Sequence, residues 1–267
     1  MLFAAIMCSC SHSEKSKSLS GASKDVRKVA SEYRNSGKWG KVVNRELELG
    51  EFNGFHTEGN IEVVFKQADT YSVKAIGHEG AIEQYDFNID NNGCLMVRQK
   101  DDVGERYDNI PEITLLIKSP RLKNVIMSGG DVELKGELVQ NDSLNIYVEG
   151  NGDVYAKSIS VDALNIEVSG NGDVEIRKAG ITGDAKVIVN GDGNIDGKLK
   201  CDNAIMEVNG SGSIDIDIKC KDLTARCNGR GEIELKGKCR TLRKRKGAGG
   251  RIDSHNLTVE KEILLDK

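Results

Sequence analysis

The groups able to do chemistry in this chain come in series, and the series are regular. Cys201, Cys220 and Cys239 stand 19 residues apart. A run of thiols suggests zinc, yet no C-x-x-C pair and no nearby histidine accompanies it, so these cysteines are expected to be small buried hydrophobes. In an exported protein an adjacent stacked pair would also be open to oxidation. A second series is acidic. Asp153 and Asp173 sit in the phrases Gly150-Asn-Gly-Asp and Gly170-Asn-Gly-Asp, a composition that suits calcium. Calcium-binding rolls repeat about every nine residues. Here the interval is near twenty and the equivalent positions become Asn194, Ser213 and Glu232, so a role in the turn itself is favoured.

The third series is made of charged columns. Counting from the later glycine of each Gly-rich phrase, the third position holds Glu133, Tyr155, Glu175, Asp196, Asp215 and Glu234. The fifth holds Lys135, Lys157, Arg177, Lys198, Asp217 and Lys236, and the seventh in three late copies holds Lys200, Lys219 and Lys238. An acidic stripe beside a basic one is either a solvated face with cross-layer ion pairs or a flat surface for an extended polymer such as a glycan. The candidate ligand-binding residues are therefore Lys198, Lys200, Lys219, Lys236 and Lys238, with Arg243 and Arg245 from the basic run Arg240–Lys246. Hydrolysis of a glycan would need two carboxylates with separated pKa values in a cleft. The acids here alternate with Lys or Arg, and only Tyr147 and Tyr155 offer stacking surfaces. His12, His56, His78 and His255 are scattered, and no Gly-Lys-Ser/Thr follows a glycine phrase. No catalytic residue, metal or cofactor is predicted.

What positions these series is an internal repeat. The later glycines Gly130, Gly152, Gly172, Gly193, Gly212, Gly231 and Gly250 are separated by 22, 20, 21, 19, 19 and 19 residues, the mark of a solenoid. Apolar residues alternate on both sides of each turn: Leu144-Ile146-Val148, Leu164-Ile166-Val168 and Ala204-Met206-Val208 before it, Ile214-Ile216-Ile218 and Ile233-Leu235 after it. Strands of period two bury one face each, and stacked coils about 4.8 Å apart close a continuous core. The glycines are expected to supply positive φ, and Asn190, Asn209 and Asn228 to stack as an amide ladder. Lys244 and Lys246 fall on inward positions, so the coil is expected to open or shift there as a C-terminal cap.

With 38% apolar and 4% aromatic residues, the core is aliphatic, and a net charge of −4 implies no attraction to nucleic acid. No stretch approaches the roughly 20 apolar residues of a membrane span. Leu2 to Met7 followed by Cys8-Ser9-Cys10 looks like the end of a lipoprotein signal, with Cys10 as the lipidated residue. Residues 1–10 are thus expected to be a truncated signal, 11–41 a flexible tether with at most a helical turn, and 42–267 one solenoid domain with regular coils over about 113–260. Ahead of those coils, strands are expected at Glu46–Leu49, Ile61–Phe65, Tyr71–Ile76, Phe87–Ile89 and Leu95–Val97, with a short helix at Gly80–Tyr85.

From residue 42 onward the chain resembles the auto-transporter adhesin, head GIN domain family of Gram-negative bacteria. The resemblance rests on Phe52-Asn-Gly-Phe55, Gly59-Asn-Ile-Glu-Val-Val-Phe65 with Gln67 and Tyr71-Ser-Val73, Leu116-Ile-Lys-Ser-Pro-Arg-Leu122, and the serial Gly-x-Gly phrases. It implies an all-β, right-handed parallel β-helix attached to the cell envelope. The chain departs from the family near Lys236 to Arg251, where aromatic residues and a proline are usual. The expected function is a non-enzymatic, outer-membrane lipoprotein acting as an adhesin-like module for extracellular glycan or an envelope protein, touching membrane only through its lipid. The alternatives are an envelope scaffold without a small ligand and, behind it, a carbohydrate-active enzyme.

Overall fold

The computed structural model describes residues 37–100 and 109–265. The expected signal, Cys10 and most of the tether lie outside the described residues. The first part of the chain supplies β1 (Val42–Leu47), β2 (Gly54–Thr57), β3 (Ile61–Gln67), β4 (Ser72–His78), the one-turn helix α1 (Glu79–Ile82), β5 (Tyr85–Ile89), β6 (Cys94–Gln99) and β7 (Ile113–Ser119). The repeats then follow as strand pairs around each Gly-rich turn: β8 (Asn124–Met127) and β9 (Val132–Val139), β10 (Ser143–Val148) and β11 (Val154–Val161), β12 (Ala163–Val168) and β13 (Val174–Ile181), β14 (Asp184–Val189) and β15 (Asn194–Lys200). The last coils are β16 (Asn203–Val208), β17 (Ser213–Cys227), β18 (Glu232–Lys246) and β19 (Arg251–Leu264), in which strands run on through one corner.

Successive coils pair in parallel and in register, forming a β-solenoid. Leu144 faces Leu164, Val154 faces Val174, Ile195 faces Ile214 and Ile214 faces Ile233. The inward side chains of each layer are capped by those of the next, so Ile195, Ile214 and Ile233 are at most 1% exposed. Burial of each such side chain is worth roughly 1.5–3 kcal/mol, and no isolated layer obtains it. Coil length is set at the corners. Coils of 19 residues have the shortest corners, whereas the earlier, longer ones carry one or two additional residues where the register shifts, as between Leu134 and Leu138 and between Ile176 and Ala179, and the first and third carry one more at the following corner.

The glycines serve close approach more than backbone sign. Of the repeat glycines only Gly130 has positive φ, at 70°. At Gly172, Gly193, Gly212 and Gly231 a Cβ would collide with the carbonyl oxygen of the glycine one layer below. The side chains between them knit the layers. Asp131, Asp153 and Asp173 each accept the backbone N–H of the next layer's equivalent residue, Asp153, Asp173 and Asn194, at 3.0, 2.9 and 2.8 Å. The expected amide ladder is present: Asn209 donates to Asn190 and Asn228 to Asn209, both at 2.8 Å. A second ladder, Asn124, Asn145 and Asn165, runs on the strand before the turn.

Parallel stacking begins before residue 113. β2 lies between β6 and β8, and β3 between β7 and β9, so the first layer in sequence is the second in space. Antiparallel strands dress this end, β4 on β7, β1 on β4 and β5 on β6. Gln67 and Gln140 pin the adjoining corners: the Gln67 amide spans Pro120 and Val139 backbone groups, and Gln140 bonds both N–H and C=O of Leu122. The helix is shorter and earlier than expected.

At the other end the register does not break as expected. Ala225 faces Lys244 and Cys227 faces Lys246 within an unbroken ladder. Lys244 stays at its inward position because its Nζ meets Glu262 at 2.8 Å and Ser254 Oγ at 3.2 Å, which replaces the hydration the charge loses. The oily column thus ends on an ion pair without a change of path.

Candidate functional site

The strands after each turn, β9, β11, β13, β15 and the first halves of β17 and β18, stack into one sheet face with residues 132, 154, 174, 195, 214 and 233 inside. Their outward neighbours form the expected columns. Glu133, Tyr155, Glu175, Asp196, Asp215 and Glu234 face one another in sequence, and Asp253 extends the line. This acidic line floors a shallow groove of about 890 Å³ that runs from Glu62 to Lys236. Within it Arg177 lies over the Tyr155 ring at 5.6 Å, and partial burial together with Asp215, Asp173 and Glu175 raises the Asp196 pKa. The groove's turn side is lined by Asp131, Asp153 and Asp173, whose carboxylates are already committed to the backbone ladder.

The second column is in register in the late coils, as Lys198, Asp217 and Lys236, and separately where Lys157 and Arg177 lie in the unshifted pairing of β11 with β13. Lys135, Lys157 and Arg177 fall at the corner where the register shifts, so they do not continue that column. Lys198 pairs with Asp217 at 3.3 Å, and Lys236 with Asp215 and Glu234 at 3.0 Å each, contacts that raise the Lys236 pKa. These two lysines are therefore neutralised within the face.

Lys200, Lys219 and Lys238 differ. They stand directly one above another, all exposed, bounded by Gly180 on one side and Thr258 on the other. No side-chain hydrogen bond or ion pair joins their ammonium groups to another group among the described residues. Ladder spacing places the three ammonium stems about 4.8 Å apart. Their mutual repulsion, about 1 kcal/mol per pair in water, is small enough for the core to tolerate.

Arg243 and Arg245 do not join this face. They lie beyond the next corner on β18, where Arg243 bonds Asp222 at 3.3 Å and Arg245 caps the amide ladder at Asn228 Oδ1, 3.0 Å away. Asp222 is held below the usual carboxylate range first by Arg240, then by Thr241 and Arg243. These arginines finish the surface of the last coils. The groove itself is legible only once the layers are stacked.

The family model described as "Putative auto-transporter adhesin, head GIN domain" matches residues 51–216 and, in a second overlapping register, 195–263. No curated protein sequence gives a match. Among solved structures, a putative adhesin from Bacteroides fragilis superposes with a TM-score of 0.70 at 24% identity, covering 84% of this chain and 97% of that one. A putative adhesin from Parabacteroides merdae gives 0.65 at 18%, covering 85% and 97%. A protein from Parabacteroides distasonis described as a putative lipid binding protein gives 0.62 at 17%, covering 85% and 98%. At these identities the likeness is one of fold.

Proposed function

Since the chain belongs to the auto-transporter adhesin, head GIN domain family, we propose that it is a non-enzymatic binding module of the cell envelope, held there by lipid on Cys10, whose late-coil face contacts an anionic glycan or an acidic protein. The observation that carries this reading is the exposed column Lys200, Lys219 and Lys238, in register and without an internal counter-ion among the described residues. A rigid sheet pre-orders three cations in a line, so an extended anion meets them without ordering the protein first. The neighbouring carboxylates support a non-enzymatic role. They are strung from layer to layer along an open groove, several already held by backbone N–H groups or by Lys236, and its single aromatic ring is already stacked on Arg177.

The test is a glycan array probed with the purified full chain at low and high salt, beside vesicles of anionic lipid. Binding to acidic glycans that weakens with salt is expected. Each exposed lysine contact is worth up to about 1 kcal/mol, so the variant Lys200→Ser/Lys219→Ser/Lys238→Ser weakens binding by up to roughly a hundredfold while its circular dichroism is unchanged. Absence of binding at every ionic strength would favour the scaffold, turnover of a polysaccharide the enzyme, and vesicle binding alone a lipid ligand.

A further inference from the structure

Behind the lysine column lies a second one. Each exposed lysine is followed by a cysteine, Lys200-Cys201, Lys219-Cys220 and Lys238-Cys239, so the lysines point outward and the thiols inward at the same three levels. Cys220 faces Cys239 in the ladder, and the register that pairs Lys200 with Lys219 sets Cys201 beside Cys220. All three are free. Neighbouring layers hold Cα atoms about 4.8 Å apart, inside the 4.4–6.8 Å span that a disulfide bridges, whereas two layers, about 9.6 Å, exceed it. Cys201 is 7% exposed and Cys239 fully buried, while Cys220 is half-buried at the corner where a small reagent can arrive.

We propose that Cys201, Cys220 and Cys239 form a disulfide-forming site in which Cys220 bonds to either neighbour and the third thiol stays reduced. The oxidant is a small disulfide. A thiolate of the column attacks one sulfur of that disulfide, whose S–S bond breaks and releases half of it as a thiol. A neighbouring thiolate then attacks the protein sulfur of the mixed disulfide, forming the bond within the chain and releasing the other half as a second thiol. Two protein thiols are oxidised, one small disulfide is reduced, and the two protons leave on the released thiols. The remaining thiolate attacks Cys220 in turn and displaces its partner, so the bond moves along the column without further oxidation. The span is shorter than the usual optimum for a disulfide, which makes the bond easily reduced. Cys94, pushed up to about 11 by burial and then by Asp90, has no thiol beside it among the described residues and serves as the internal control.

The full chain is reduced, exposed to oxidised glutathione under native conditions, blocked with iodoacetamide and digested with trypsin. Cleavage after Lys200, Lys219, Lys221, Lys238 and Arg240 separates the three cysteines onto different peptides. The expected products are Cys220 peptides linked to the Cys201 or the Cys239 peptide. Cys220→Ala removes both links, Cys201→Ser leaves only the bond to Cys239, and Cys239→Ser only the bond to Cys201. The double variant Cys201→Ser/Cys239→Ser stops at a glutathione adduct on Cys220, an outcome that separates chemistry from misfolding of any one variant. Three fully alkylated thiols in the column after oxidation, a Cys201 to Cys239 link, or a link to Cys94 or Cys227 would overturn the proposal.

Discussion

Replacing Gly212 by alanine tests the stacking directly. A Cβ on Gly212 would run into the carbonyl oxygen of Gly193 and stand 2.9 Å from both the Asp192 carbonyl carbon and Val189 Cγ1. Relief requires the two layers to part at the turn. Three bonds cross that gap: Ser211 N–H to Gly191 O at 3.1 Å, Gly212 N–H to Gly191 O at 3.2 Å and Ser213 N–H to Gly193 O at 3.3 Å. Opening them costs about 1 kcal/mol each, and the strain left by overpacking adds about 1–3 kcal/mol, so Gly212→Ala should lose roughly 4–6 kcal/mol. Two other glycines calibrate the measurement. Gly136 has φ of 90° with open space around its Cβ position, so alanine there meets only the left-handed penalty of about 1–2 kcal/mol. Gly180 has neither positive φ nor any atom within 4 Å, so Gly180→Ala should stabilise by about 0.4–1 kcal/mol through the unfolded chain. Urea unfolding of the three variants reads the order. If Gly212→Ala falls within about 1 kcal/mol of Gly180→Ala, the close layer contact is wrong.

Ile216→Ala, beneath Leu235 and 1% exposed, should cost about 2–5 kcal/mol in the same urea assay, as buried Ile truncations do. The Asp253 carboxyl is lowered to about 2 by the backbone N–H and ring of His255, with Arg251 nearby. A depressed carboxylate stabilises above its unfolded pKa near 4 and ceases to as pH falls through the folded value, so between about pH 4 and pH 2 the wild type should lose more of its urea midpoint than Asp253→Asn. Lys244→Leu removes the inward charge paired with Glu262 and extends the oily column to the last coil. Concentration-dependent association in sedimentation velocity is the expected result, and a strict monomer at every concentration would show that this charge does not protect the end.

Much of this architecture can be read from the sequence because the repeat itself carries the register. Once Gly193, Gly212 and Gly231 are aligned, Lys200, Lys219 and Lys238 must stack, and so must the three cysteines behind them. Three features escaped for physical reasons. The longer coils hold one or two additional corner residues, which shift the register beside Lys135, Lys157 and Arg177 and break a column that spacing alone predicts. The reason for glycine differs as well, since composition reveals a need for a small residue but not whether φ or a neighbouring carbonyl demands it. Finally, residues 42–119 lack the Gly-x-Gly phrase, so nothing in them signals that β2 and β3 slot between strands that come later in the chain. The lysines of the candidate face were identifiable, but the groove beside them is a property of stacked layers.

That interleaved start has a consequence for how the molecule changes length. The opening layer is clasped between two later ones, so no coil can be added or removed there without unthreading the chain. From β10 onward each coil touches only the one before and the one after. Gain or loss of a unit of about 19 residues in that region moves the far end by one rung, about 4.8 Å. The protein is in this sense a ruler fixed at one end, able to vary its reach in whole graduations while its base stays the same.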